Sequence, residues 1–253
     1  QSLARAGWYH FLEWTRRGFD EGTLARRYML NLAERHLRAQ VRDAALRARL
    51  RPPYPLGCKR IVYSNDYYPA LAQRHVELVT TPIERATPAG VVTADGRERA
   101  LDVLVCATGF DTVHLLASVE LRGRGGVTLR EAWADAPRAL LGVTVAGFPN
   151  LFLLLGPNTG TGHTSTLFYI EPQVDFAIAC MRRVAAGGHR WIDTRAGRQA
   201  AHDAALQSRL AGSVWSACRS WYRTDAGRVV ALWPGFTREY RRALARRDFA
   251  DYV

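Results

Sequence analysis

Apolar positions along the chain change their period several times, and each change predicts an element. From Gln1 to Arg51 the spacing is helical. Trp8, Phe11, Leu12 and Trp14 form one cluster, and Leu24, Tyr28 and Leu32 continue at i, i+4, with Arg16, Arg17, Arg26, Arg27, Arg35 and Arg38 mostly outward. Arg51-Pro52-Pro53-Tyr54-Pro55 ends this stretch, because proline removes backbone donors and keeps its predecessor out of the helical region. A loop from Leu56 then runs into a short strand ending at Ser64, Asp66–Gln73 predicts a short helix, and Val76–Val79 predicts a strand. Ile83–Thr87, Gly90–Thr93 and Leu101–Ala107 predict a meander with Asp95-Gly96 at a hairpin tip. Leu101–Ala107 is almost wholly apolar, the pattern of a buried strand, and it ends at Thr108-Gly109-Phe110-Asp111.

Val119–Leu129 predicts another hairpin, and Ala139–Pro157 predicts two short buried strands around the turn Gly147-Phe148-Pro149-Asn150. The second of these strands begins the most informative stretch, Leu151 to Ser165. A continuous apolar run breaks into Gly156-Pro157-Asn158-Thr159-Gly160-Thr161-Gly162-His163, and a helical segment follows from Thr166 to Val184. Such an arrangement presents backbone N–H groups where open α/β sheets bind anions and electron-rich rings. An ordinary strand-to-helix turn capped by Thr and Ser explains the loop equally well at this point. Pro172 predicts a kink or a break in the helix. Arg195–Leu210 predicts a further helix, Ser220–Arg223 with Val229–Leu232 a hairpin, and Thr237–Arg246 a closing basic helix.

Composition narrows the class. A chain of 253 residues, 48% hydrophobic and 23% charged, reads as a soluble globular protein. Gln1-Ser2-Leu3-Ala4-Arg5 has neither the apolar region nor the cleavage site of a signal peptide, and the missing initiator Met predicts that the chain begins partway through a longer protein. The uncharged run Ala139–Pro157 is interrupted by turn chemistry, so no membrane span is expected. Cys58, Cys106, Cys180 and Cys218 show no C-x-x-C spacing and read as free thiols of a cytoplasmic protein, which argues against a dithiol reductase. The net charge of +12 suggests a nucleic-acid partner, but the arginines are scattered and not interleaved with aromatics, so none is expected. Lys59 is the only lysine among 35 basic residues, which singles it out. No metal site is expected.

Several motifs occur in a recognisable order: Gly57-Cys58-Lys59-Arg60, Asp66-Tyr67-Tyr68, Val76-Glu77-Leu78-Val79, Ala107-Thr108-Gly109-Phe110-Asp111, Gly147-Phe148-Pro149-Asn150-Leu151-Phe152, Gly156-Pro157-Asn158, Ile170-Glu171 and Ser220-Trp221-Tyr222. From about Gly57 onward the chain resembles the carboxy-terminal half of Baeyer–Villiger monooxygenases, class B flavoprotein monooxygenases related to the cyclohexanone, phenylacetone and 4-hydroxyacetophenone enzymes. The resemblance implies an α/β fold: part of a flavoprotein with two Rossmann-like dinucleotide-binding domains for FAD and NAD(P), preceded by a helical amino-terminal segment. It assigns 1–51 to a helical segment of the NADP domain, 52–108 to the end of that domain and the link, and 109–253 to the carboxy-terminal part of the FAD domain with the substrate-pocket loop.

The implied activity uses FAD, NADPH and O2 to insert one oxygen atom into a ketone, giving an ester or lactone through a C4a-peroxyflavin. By resemblance, Lys59 helps bind the 2′-phosphate of NADP and Arg60 stabilises the anionic peroxyflavin, as a permanently charged planar guanidinium suits an oxygen-derived anion. Thr108, Gly109 and Asp111 fall on the segment linking the FAD and NADP domains, although Asp111 serves equally as a turn cap. Asn158, Thr159 and Gly160 lie in the loop matched to the isoalloxazine ring, His163, Ser165 and Thr166 line the substrate pocket, and Trp221 contacts NADP. The loop Thr159–Gly162 is longer than in the best-known members. The glycine loop G-x-G-x-x-G for FAD, its NADP counterpart and the fingerprint F-x-G-x-x-x-H-x-x-x-W/P are absent. The expectation is a chain that needs its missing amino-terminal half and is inactive alone. An N- or S-oxygenating flavin monooxygenase and a non-catalytic basic binding module remain as alternatives.

Overall fold

The computed structural model describes residues 2–246 and 248–253. The helical start follows the predicted period: α1 (Ser2–Thr15), a 3-10 turn over Arg16–Phe19, α2 (Leu24–Gln40) and α3 (Ala44–Leu50). Asp43 starts α3 by accepting from the Ala45 amide at 2.9 Å, and the prolines after Arg51 prevent its continuation. The chain divides into two units, one of Gln1–Ala33, Pro52–Val62 and Asp111–Val253, the other of Glu34–Arg51 and Tyr63–Phe110.

The second unit carries α4 (Tyr67–Leu71) and an antiparallel sheet in the order β1 (Ile83–Thr87), β2 (Gly90–Thr93), β3 (Glu98–Ala100). Central β2 buries Val91, Val92 and Thr93. The tip falls at Asp95-Gly96 as expected, with Gly96 at φ +78° and Thr93 donating its hydroxyl to Asp95 at 2.5 Å. Leu101–Ala107 departs from expectation. It lies outside any ladder, with Val103 and Val105 75% and 79% exposed. An apolar run becomes a buried strand only where neighbouring strands cover it, and none among the described residues does so. Val76–Val79 and the residues before Ser64 likewise form no strand.

The first unit is built on α5 (Leu129–Ala132), α6 (Leu167–Ala186), α7 (Ala196–Ala211) and α8 (Thr237–Ala245). Its main core gathers Tyr169, Phe176 and Cys180 of α6, Leu206 and Leu210 of α7, Tyr240 and Leu244 of α8, and Trp215, Tyr222, Leu232 and Trp233 from the connecting segments. A smaller cluster holds Leu129, Trp133, Val145, Phe148 and Leu153. Pro172 neither breaks nor divides α6, because its fixed φ is helical and one missing donor near the start is outweighed by buried Tyr169, Gln173 and Phe176 around it.

The expected hairpins shrink to single antiparallel bridges, Arg122↔Thr128 and Arg223↔Val229. The expected buried strand Leu151–Leu155 is irregular: Leu153 is buried, Leu154 exposed, and Leu155 has φ +55°. The α/β expectation therefore holds coarsely, as helices with one small antiparallel sheet; among the described residues parallel pairing is confined to the bridge Gly160↔Leu232. Among the described residues, no helix is long and apolar enough to cross a membrane.

Candidate functional site

Cys58 and Cys218, 160 residues apart, form a disulfide with Cα atoms 6.0 Å apart. This overturns the reading of all the cysteines as thiols; Cys106 and Cys180 keep theirs. Spacing carried no sign of the pair because the partners sit in remote segments. Gly57 has φ +88°, and a Cβ there would lie 2.3 Å from the Phe19 ring, so glycine is needed for the loop to press onto that ring.

The disulfide joins the Lys59-Arg60 loop to the segment carrying Trp221 and Tyr222. Both Lys59 and Arg60 are exposed. The Lys59 ammonium lies 4.7 Å from the centre of the Tyr54 ring. Arg60 stands at the Tyr222 hydroxyl: burial raises the pKa of this phenol, and the guanidinium beside it opposes the rise. The rings of Trp221 and Tyr222 are 4.3 Å apart, and the Trp221 carbonyl accepts from the Thr112 hydroxyl. Neighbouring Asp111 is exposed. Its carboxylate is held below the usual range by the His114 side chain at 2.6 Å and by the amides of His114 and Val113 at 3.1 Å. Asp111 thus caps a turn in this structure. Thr108 and Gly109 belong to the second unit, where both are exposed and Gly109 has φ +108°.

The loop after Leu155 is anchored from within. Asn158, buried at φ +58°, donates its side-chain amide to the carbonyls of Val229 (2.9 Å) and Leu232 (3.2 Å). Thr159 is fully buried and bonds back to Gly156 at 2.7 Å. Gly160 donates to Ala231 and accepts from Trp233, and a Cβ on it would meet the Ala231 carbonyl at 2.7 Å. Ser165 is exposed and accepts from the Leu167 amide at 3.3 Å, while Thr166 begins α6 without a side-chain cap.

His163 points inward. Its Nε2 lies 3.2 Å from Glu13 Oε1, and Thr161 Oγ1 lies 3.2 Å from Nδ1. A carboxylate only accepts, so the ring proton sits on Nε2 and the Thr161 hydroxyl donates to Nδ1. Glu13 also accepts from the amides of Thr237 (3.0 Å) and Arg238 (3.4 Å) at the start of α8. Burial works to raise the Glu13 pKa, but the hydrogen bonds from His163, Thr237 and Arg238 outweigh it and hold the carboxyl at about 2. Burial lowers His163, against the pull of Glu13. The two directions together describe an ionised carboxylate bonded to a neutral imidazole. The sequence reading missed Glu13, whose only signal is a carboxylate interrupting the apolar cluster from Trp8 to Trp14.

A chain that carries two exposed cations, a tightly pinned glycine loop and a tryptophan in this order has its likeness among the flavin-dependent monooxygenases. More narrowly, it is 38% identical over its whole length to a Baeyer–Villiger monooxygenase of Pseudomonas aeruginosa, of which it covers 48%. Among solved structures, an oxidised steroid monooxygenase bound to NADP superposes with TM-score 0.77 and 32% identity, over 90% of this chain and 45% of that one. A complex of OTEMO with FAD and NADP gives 0.79 and 25%, over 90% of this chain and 44% of that one. No family model matches. The chain is thus similar to enzymes named Baeyer–Villiger monooxygenase, and it spans about half the length of the curated relatives it matches.

Proposed function

We propose that the chain is part of an NADPH- and FAD-dependent monooxygenase that inserts one atom of O2 into a ketone, giving an ester or lactone. The carrying observation is convergence: Lys59, Arg60 and Trp221 come from segments 160 residues apart and are tied together by the Cys58–Cys218 disulfide. The residues fit the cofactors. Both cations are exposed, Lys59 over the Tyr54 ring, leaving Lys59 to hold an NADP phosphate and Arg60 to face the flavin, with Trp221 against the nicotinamide nucleotide. Asn158, Thr159 and Gly160 hold the flavin-side loop through their internal bonds, Ser165 and Thr166 border the substrate, and Thr108, Gly109 and Asp111 are assigned to the cofactor link by resemblance.

When bound, FAD reduced by NADPH supplies the oxygen activation. The role of Arg60 is to offer a fixed positive charge to the oxygen-derived anion. By the same reading, 1–51 and 52–108 belong to the NADP-binding domain and its link, and 109–253 to the FAD-binding domain. The phosphate-binding glycine loops come from the remainder of the protein, so this chain alone binds FAD weakly and is inactive.

The test uses the full-length protein with cyclic ketones, sulfides and amines as substrates. Arg60→Ala is expected to retain FAD while ester formation drops by roughly 100-fold or more. A wild-type protein that purifies without FAD and ignores ketones, or an R60A variant with unchanged turnover, overturns the reading.

A further inference from the structure

We propose that Glu13 is a positioning residue: acting through His163, it locks the loop from Asn158 to Thr166 in the shape that holds the flavin and seals it against wasteful peroxide release. The inference rests on the reading of that loop as the flavin-side loop.

Three elements remote in sequence meet at one nearly dry point. Glu13 comes from α1, His163 from the loop 150 residues later, and Thr237 from the first turn of α8, and all are buried. The carboxylate spends its acceptor capacity on His163 Nε2 and on the α8 amides of Thr237 and Arg238. The imidazole passes this order to the loop through Nδ1. There the Thr161 hydroxyl donates to the ring while its oxygen accepts the amides of His163 and Thr164, each at 3.3 Å. Tyr169 of α6 is fully buried, and its hydroxyl has no hydrogen-bond partner among the described residues. Both ring nitrogens of His163 are therefore engaged within the protein, which gives His163 the work of a latch in place of the expected pocket lining. A latch of this kind matters because catalytic loops tolerate little displacement; misplacement of about 1 Å costs on the order of 100-fold.

The chain of action makes a specific demand. If Glu13 works through His163, removing both adds nothing to removing one. In the full-length holoenzyme, Glu13→Gln and His163→Gln are each expected to weaken FAD retention about tenfold and to raise peroxide released per NADPH by a similar factor, with a changed visible spectrum of bound flavin. The double variant is expected to match the stronger single one. Thr161→Val removes only the hydroxyl at Nδ1 and carries the same expectation, so the proposal stays testable if Glu13→Gln folds poorly. A Glu13→Gln protein that melts earlier yet keeps the wild-type flavin spectrum and peroxide fraction overturns the proposal, as do single effects that multiply in the double variant. Wild-type protein without bound FAD is read before any variant and sinks the functional reading itself.

Discussion

At Glu13 a contest between burial and hydrogen bonding fixes a charge, and the outcome has a pH signature. The carboxyl titrates at its ordinary 4.5 in the unfolded chain and at about 2 in the folded one. Its contribution is therefore complete above the unfolded value and is lost as pH falls from 4.5 toward 2. His163 adds a slope of the same sign for a different reason. Buried between Glu13, Thr161, Thr237 and Tyr169, with Arg16 adding repulsion, the folded ring resists a proton that the unfolded ring takes up at 6.5. Stability is expected to fall as pH drops below 6.5. Urea denaturation across this range should find the upper part of the loss missing in His163→Gln and the lower part missing in Glu13→Gln. A His163→Gln protein with the full wild-type slope just below pH 6.5 would refute the assignment. Gly142 makes a second prediction at this scale. It has φ +68°, and a Cβ there would lie 2.0 Å from the Thr159 side chain, whereas Gly125 has the same φ with open space around it. Gly142→Ala should cost about 3 kcal/mol or more and Gly125→Ala only about 1 kcal/mol, the difference being the collision with the pinned loop.

Among the elements, α5 shows how little sequence a short helix needs when its start is fixed. Thr128 accepts from the Glu131 amide at 3.2 Å, and the Glu131 carboxylate accepts from the Thr128 amide at 2.7 Å, a reciprocal cap on a helix of only 4 residues. Thr128→Ala should lose about 1 kcal/mol in denaturant titration and loosen Leu129 and Trp133 in the smaller core; an unchanged midpoint would show that packing alone holds the turn. Such local signals explain why the helices were legible: a 3.6-residue period and a cap lie within one element, so α1, α2, α4, α6, α7 and α8 fall where the spacing of their apolar residues predicts. Strands are different. The apolar runs Leu101–Ala107 and Leu151–Leu155 specify a wish for burial, but a ladder needs a second strand, and their own letters cannot supply one. The same limit hid the Glu13–His163 contact and the Cys58–Cys218 pair, whose partners lie 150 and 160 residues apart. What was legible of the site is its order, Lys59-Arg60 before Asn158–Gly160 before Trp221. Its inner supports were not, because each is a contact between elements.

For the whole molecule, the disulfide is the covalent cross-link of the first unit. Cys58 and Cys218 both belong to that unit, yet the loop they close contains residues 63–110 of the second. Closing a loop with a sequence separation of 160 removes unfolded-state entropy worth about 5 kcal/mol in the chain-entropy account. Structure persisting within the loop shortens its effective length, so a loss of about 2–5 kcal/mol is expected on reduction. The tryptophans make the loss easy to localise: all 7 (Trp8, Trp14, Trp133, Trp191, Trp215, Trp221 and Trp233) lie in the first unit and none in the second. Reduction by a small-molecule dithiol, which oxidises to its cyclic disulfide as Cys58 and Cys218 each gain a hydrogen, should therefore lower the tryptophan-fluorescence midpoint. Amide exchange in β1–β3 should stay unchanged, because no covalent tie to that sheet is cut. A double Cys58→Ser, Cys218→Ser protein should reproduce the reduced midpoint without added dithiol. If thiol titration proves the bond open and the tryptophan transition stays in place, the disulfide is not what holds the Lys59-Arg60 loop against the Trp221 segment, and burial of Cys58 and Phe19 in the main core must do so alone.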